Sequence, residues 1–263
     1  MGVEKISQAF TQARQQGRAA WMPYFTLGYP DLPASQRIVE AIAAAGADLI
    51  ELGVPFSDPL ADGPTIQHST QVALQNGANL AGCLDLVANL RANGVGQALL
   101  LMGYYNPILS YGVERFAADA AQTGVDGFIV PDLPPEEAGD LQQACRQQGL
   151  ALVYLLAPTS TLERIQLVSS CASGFIYLVS LTGVTGARRE LPPGLEAFAA
   201  RVREATPLPL AVGFGISTPE QARRVAEVAD GVIVGSKLIE IADQGGAVAV
   251  QDFVQKWSVS LQG

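Results

Sequence analysis

Carboxylates are the side chains through which this sequence can do chemistry. Glu51 lies inside the apolar run Asp48-Leu49-Ile50-Glu51-Leu52-Gly53. In an alternating strand it shares one face with Leu49 and Gly53. A glutamate in a buried strand is costly unless it is paired, opens on a pocket or stays neutral. Burial raises its pKa toward neutrality, which suits a general acid or base. The loop Val54 to Gln67 follows, with two aspartates, three prolines and one glycine. Each residue alone is an ordinary turn former. Together they predict a long, partly rigid loop over a functional site. Asp58 and Asp62 are both candidates for a catalytic role, and spacing does not choose between them.

Other reactive groups are scarce. There is one histidine, His68, so no His-based metal cluster can form. The lysines are Lys5, Lys237 and Lys256. Two lie near the termini, and Lys237 opens a helix, where a solvated role is expected; Schiff-base chemistry would need a desolvated lysine. Cys83, Cys145 and Cys171 fall within helical patterns as packing residues, too scattered for a disulfide framework. That usage fits a reducing, cytoplasmic setting. No Gly-x-Gly-x-x-Gly follows a strand. The net charge is −9, and the basic pairs are Arg188-Arg189 and Arg223-Arg224, so no nucleic-acid surface is expected. No apolar run is long enough to span a bilayer, and Met1 to Gln16 lacks a secretory signal pattern. An acidic chain that binds phosphate must hold it mainly with local backbone dipoles.

The elements that must position these groups follow from the hydrophobic pattern. Apolar residues make up 49 % of 263. Strands are predicted at Met22–Leu27, Leu49–Leu52, Ala98–Met102, Gly127–Val130, Leu152–Leu156, Phe175–Val179, Leu210–Val212 and Val232–Val234, each apolar enough to be buried on both faces. Helical patterns lie between them: Ser35–Ala45, Leu80–Arg91, Val113–Thr123, Glu136–Gln148, Leu162–Cys171, Leu195–Ala205 and Glu220–Val228. Gly46, Gly124 and Gly149 read as helix stops, and Pro135 and Pro219 as first-turn prolines. A weak repeat marks the even strands: Ala45-Gly46-Ala47-Asp48-Leu49-Ile50, Thr123-Gly124-Val125-Asp126-Gly127-Phe128, Val228-Ala229-Asp230-Gly231-Val232-Ile233 and, more loosely, Ala172-Ser173-Gly174-Phe175-Ile176. Any βα unit needs a helix stop before its strand, which explains much of the match. Eight such units still favour a closed (β/α)8 TIM barrel over an open sheet. The expectation is one domain, 1–263, with an extra helix before Trp21 capping the barrel bottom. Its active site should lie at the C-terminal ends of the strands. Glycines in Val212-Gly213-Phe214-Gly215-Ile216-Ser217 and Val234-Gly235-Ser236 would let main-chain N–H groups approach a phosphate after strands seven and eight. Leu181 to Gly186 is a further candidate, and with Ala187 to Gly194 it forms a candidate lid.

Glu51 to Gln67 resembles the signature of the tryptophan synthase alpha subunit family. Pro23-Tyr24-Phe25-Thr26-Leu27-Gly28, Pro131-Asp132-Leu133-Pro134, Thr182-Gly183-Val184-Thr185-Gly186 and Gly213-Phe214-Gly215-Ile216-Ser217 fit it in order. The resemblance implies a lyase that cleaves indole-3-glycerol phosphate to indole and glyceraldehyde 3-phosphate by a retro-aldol reaction, without a cofactor. It implies Glu51 as general acid/base and Asp62 as acceptor of the indole N–H, so that the aspartates divide, with Asp58 on the partner-facing surface. Thr185 would close on Asp62, and Tyr177 would lie near Glu51 and the substrate. Tyr24 and Met102 would line the indole pocket, where the family often has Phe and Leu. Gly186, Gly213, Gly215, Gly235 and Ser236 would hold the phosphate. The implied partner is a pyridoxal-phosphate beta subunit in an α2β2 heterotetramer, which receives indole and contacts Pro55–Pro64 and Asn106-Pro107-Ile108-Leu109. Two other readings stay open: a free-standing lyase that releases indole, and a weakly catalytic allosteric subunit.

Overall fold

The structure, a computed structural model, describes residues 2–179, 194–213 and 215–260. Helix α1 (Gly2–Gln15) leads into β1 (Ala20–Thr26), α2 (Leu32–Ala44), β2 (Leu49–Gly53), α3 (Pro64–Gln75), α4 (Leu80–Ala92), β3 (Ala98–Met102), α5 (Tyr105–Tyr111), α6 (Val113–Thr123) and β4 (Gly127–Ile129). Then come α7 (Gly139–Gln148), β5 (Ala151–Leu156), α8 (Leu162–Cys171), β6 (Ile176–Val179), α9 (Leu195–Arg203), β7 (Leu210–Gly213), α10 (Pro219–Ala226), β8 (Gly231–Val234) and α11 (Ser236–Ser260). The strands close in chain order into a barrel of eight, every pair parallel. Parallel strands wrapped by helices are buried on both faces. All residues of β1, β2, β3, β7 and β8 are accordingly buried. No helix among the described residues is long and apolar enough to cross a membrane.

The repeat at the even strands is a set of clamps. Asp48 Oδ2, just before β2, accepts the Trp21 N–H at 2.7 Å and pairs with Arg18. Asp126 Oδ2, just before β4, accepts the Leu99 N–H at 2.8 Å and pairs with Arg91 at 2.6 Å and Lys5 at 3.5 Å. Asp230 Oδ2, just before β8, accepts the Leu210 N–H at 2.9 Å, and its carboxylate pairs with Arg14 and Arg203, each at 3.0 Å. In the looser copy before β6, Ser173 Oγ accepts the Leu152 N–H at 2.9 Å. Each clamp ties the start of an odd strand to the chain entering the next even strand, so main-chain donors at the barrel rim are satisfied by side chains.

Helix α1 covers this same end. It buries Ile6, Phe10 and Ala13, and Phe10 packs on Phe175 at 5.6 Å between ring centroids. Its two cations, Lys5 and Arg14, reach the clamps at Asp126 and Asp230.

Helices α3 and α5 were not foreseen, because Pro64 and Pro107 read as loop punctuation. Pro64 instead occupies the first helical turn after Gly63, where a missing N–H costs nothing. Pro107 is the third residue of α5, again within the first turn. Pro219 starts α10, behind a Thr218–Gln221 capping box. Pro135 does not start a helix: Pro134 to Glu137 form turns, closed by Glu137 N–H to Pro134 O, and α7 begins at Gly139. The helix that opens after Gly235 at Ser236 breaks at Gly245 and Gly246, and a second helix continues from there to Ser260. Gly124 and Gly149 end their helices in the left-handed conformation, φ 94° and 69°.

Candidate active site

Glu51 stands at the third position of β2, its Cα in register with Tyr24 of β1 and Leu100 of β3. It is 1 % exposed, and neither carboxyl oxygen has a hydrogen-bond partner among the described residues. A buried carboxylate in that state is strongly disfavoured. Burial, and then the charge of Asp62, pushes its pKa up to about 8. Asp62 is half-buried on the loop between β2 and α3. Burial pushes its carboxyl up to about 6, against the pull of a hydrogen bond from Tyr104. At neutral pH the site thus holds one largely protonated acid beside one largely ionised carboxylate, and such a split assigns acid and base roles to chemically similar groups.

Tyr104, in the N-cap position of α5, is absent from the sequence-based set of site residues. Its Oη donates to Asp62 Oδ2 at 3.0 Å and accepts the Ala61 N–H at 3.0 Å. The hydroxyl therefore holds both the carboxylate and the main chain beside it. Its ring packs on Phe56 at 5.3 Å, joining the same loop by an apolar contact. Nothing local in Gly103-Tyr104-Tyr105 marks this, since the partners are 42 residues apart.

Tyr24 and Tyr177, 6 % and 3 % exposed, wall the cavity. Each occupies space that a glycine leaves open. A Cβ on Gly53 would lie 2.0 Å from Tyr24 Oη, and one on Gly213 would lie 2.1 Å from Tyr177 Oη. Gly213, expected to face a phosphate, does not line the cavity in the described structure; the space beside its Cα holds the Tyr177 phenol. Burial, followed by the nearby carboxylate charges, raises both phenols well above their usual range. Both therefore act as neutral groups. Tyr24 Oη lies 3.2 Å from Thr26 Oγ1, which lies 2.7 Å from Ser69 Oγ, and Ser69 donates to Ile66 O at 2.9 Å. A carbonyl only accepts, so the order of donation is Tyr24 to Thr26 to Ser69 to Ile66. This chain ties the cavity wall to α3, the helix that follows Asp62.

The cavity measures about 550 Å³, within the usual range for a small-molecule site. Glu51, Asp62, Tyr24, Met102, Tyr177 and Ile233 contribute its acidic and apolar lining. Gly215, Ser217, Gly235 and Ser236 contribute small residues at the ends of β7 and β8, where main-chain N–H groups can meet an anion. Thr185 and Gly186 lie outside the described residues, as do Phe214 and the candidate lid up to Pro193. Asp58 is exposed and does not line the cavity. His68 is exposed on α3. Cys83 and Cys145 are buried, Cys171 is partly so, and burial pushes the first two thiols up to about 12, far from nucleophilic use. Among the described residues no group of His, Cys, Asp or Glu is placed to hold a metal ion.

The geometry has close relatives. The family model for the tryptophan synthase alpha chain matches residues 10–260. The tryptophan synthase alpha chain of Roseiflexus sp. (strain RS-1) is 53 % identical over 242 residues, covering 92 % of this chain and 93 % of the relative. That of Dehalococcoides mccartyi is 48 % identical over 260 residues, covering 98 % of this chain and all of the relative. Among solved structures, a tryptophan synthase chain from Mycobacterium tuberculosis superposes with a TM-score of 0.93 at 37 % identity, covering 98 % of both chains. The tryptophan synthase alpha subunit of Legionella pneumophila gives 0.90 at 35 % identity, also over 98 % of both. The fold, the carboxylate-lined cavity and this agreement along nearly the whole sequence lead to one conclusion: the chain belongs to the tryptophan synthase alpha chain family, and its role is that of the alpha subunit, a carbon–carbon lyase of tryptophan biosynthesis.

Proposed function

We propose that the chain, as one barrel domain of 1–263, cleaves indole-3-glycerol phosphate with Glu51 moving the protons and Asp62 steadying the ring. The neutral Glu51 carboxyl delivers a proton to indole C3, and the ring becomes cationic. Asp62 accepts the indole N–H and offsets that charge. The Glu51 carboxylate then takes the proton of the glycerol hydroxyl next to C3. The C–C bond breaks, its electron pair returns to the ring, and the hydroxyl carbon becomes the aldehyde of glyceraldehyde 3-phosphate. One proton enters and one leaves, so Glu51 ends as it began. The balance requires no oxidant or reductant, and the proposal assigns no cofactor to this chain; pyridoxal phosphate belongs to the beta subunit.

The observation that carries this reading is the buried Glu51 carboxyl, unpartnered among the described residues and opening on a cavity shared with Asp62. Tyr24, Met102 and Tyr177 line the indole region. Main-chain groups at Gly215, Gly235 and Ser236 hold the phosphate, with Gly186 and, through the seat it leaves for Tyr177, Gly213 in support. Thr185, outside the described residues, is by family resemblance the residue proposed to close on Asp62.

The family implies a beta subunit as partner. An α2β2 assembly in the cytoplasm is the form proposed here. Leu60 is 93 % exposed on the Asp62 loop, and Leu109 is 56 % exposed on α5. They lie on Pro55–Pro64 and Asn106-Pro107-Ile108-Leu109, the two segments proposed to contact that partner. The deciding experiment is indole release from indole-3-glycerol phosphate with and without a beta subunit. Release that rises when the partner is added supports the proposal. High release that the partner does not change favours a free-standing lyase, and no release in either case overturns the catalytic reading.

A further inference from the structure

The phosphate contacts proposed above are neutral groups and carry no formal positive charge. The cavity is acidic: Glu51, Asp62 and Glu240 all line it. Lys237 is the one cationic side chain among its described lining residues, in a protein whose net charge is −9. A substrate phosphate must enter that field and stay. We propose that Lys237 is the cation that holds the substrate phosphate, parked on Glu240 until the anion takes its place.

Position argues for this. Lys237 is the second residue of α11, directly after Gly235 and Ser236, which line the same cavity. A cation in the first turn of a helix faces the positive end of the helix dipole and is disfavoured there without an anion beside it. In this structure the anion is Glu240, three residues on, with Nζ 2.9 Å from Oε2. Both side chains are partly open to solvent, 30 % and 49 % exposed, so the pair contributes little and is easily exchanged. A phosphate dianion set against the N-terminus of α11 would offer Lys237 more charge and more acceptor oxygens than the single Glu240 carboxylate. Lys237 opens a helix and keeps contact with solvent, as the sequence predicts, and it also lines the cavity.

The inference rests on the lyase reading, but it can fail separately. Binding of glycerol 3-phosphate to the purified chain should be measured by calorimetry for the parent, Lys237→Ala, Lys237→Arg and Glu240→Gln. Lys237→Ala should weaken binding about tenfold, the scale of one charge-assisted hydrogen bond at a partly exposed site. Lys237→Arg should restore affinity to within about threefold, and Glu240→Gln should tighten it by removing the competing carboxylate. In turnover of indole-3-glycerol phosphate the Lys237→Ala loss should fall on KM rather than kcat, as expected for binding that is uniform between ground and transition states. Equal affinity in the parent and Lys237→Ala, or no saturable binding by the parent, overturns the inference. If the parent releases no indole while Lys237→Ala still weakens glycerol 3-phosphate binding, the lyase reading fails and the cation assignment stands.

Discussion

Glu51 carries opposite demands of folding and catalysis in one side chain. Its folded pKa, about 8, lies above the ordinary value of 4.5. The unfolded chain ionises first, so between about pH 4.5 and pH 8 it binds fewer protons than the folded chain, and stability falls as pH rises. Glu51→Gln removes that dependence. Its stability relative to the parent should grow from pH 5 to pH 8, reaching on the order of 1–3 kcal/mol, while turnover drops on the order of 10²-fold or more. Urea unfolding at the two pH values checks the first part; a difference that ignores pH would place Glu51 outside the desolvated site. Tyr104 acts on Asp62 in the other direction, since its hydroxyl stabilises the carboxylate. Tyr104→Phe should raise the Asp62 pKa above its present value of about 6. The acid limb of the kcat/KM profile should then move upward by about one unit, because ionised Asp62 is the working form. A limb that stays in place would reduce Tyr104 to a packing residue.

At the scale of elements, the clamps at the even strands and the paired glycine–tyrosine seats do different work. The clamps use Asp48, Asp126, Asp230 and Ser173 to bind N–H groups at the first or second residue of the odd strands. The cost of removing one should follow its charge and its partners. Asp126→Ala leaves Leu99 N–H without its acceptor and Arg91 without its carboxylate, a loss of about 2–4 kcal/mol. Ser173→Ala removes one neutral hydrogen bond and should cost about 1 kcal/mol. Equal losses in urea unfolding would show that the ion pairs add nothing to the clamp. The seats lie farther along the strands: Gly53 admits Tyr24, and Gly213 admits Tyr177. A side chain at Gly213 would damage the site by displacing Tyr177, which is a tighter constraint than an obstructed main-chain approach to phosphate.

At the scale of the whole molecule, the barrel sets its clamps and α1 at one end and its cavity at the other, so stability and chemistry draw on different residues. The proposed partner surface adds a third region around Leu60 and Leu109. Leu60→Asp should weaken beta-subunit binding while altering chain stability by less than about 0.5 kcal/mol, as for an exposed site. Analytical ultracentrifugation of the mixed subunits checks it, and undiminished assembly would remove Leu60 from the interface. Much of this architecture is legible in the sequence because its causes are local. Apolar runs mark the strands, the Asp-containing repeat marks the barrel rim, and Glu51 stands out as a charge within a buried strand. The helices at Pro64 and Pro107 were hidden because a first-turn proline and a loop proline look alike over a few residues. The site's finer organisation depends on contacts that only barrel closure creates. Tyr104 reaches Asp62 across 42 residues, Tyr177 on β6 fills the space beside Gly213 on β7, and Lys237 shares a cavity with Glu51 from the far end of the chain. Periodicity determines which face of an element is buried; which side chains meet there is decided by the register and curvature of the closed sheet.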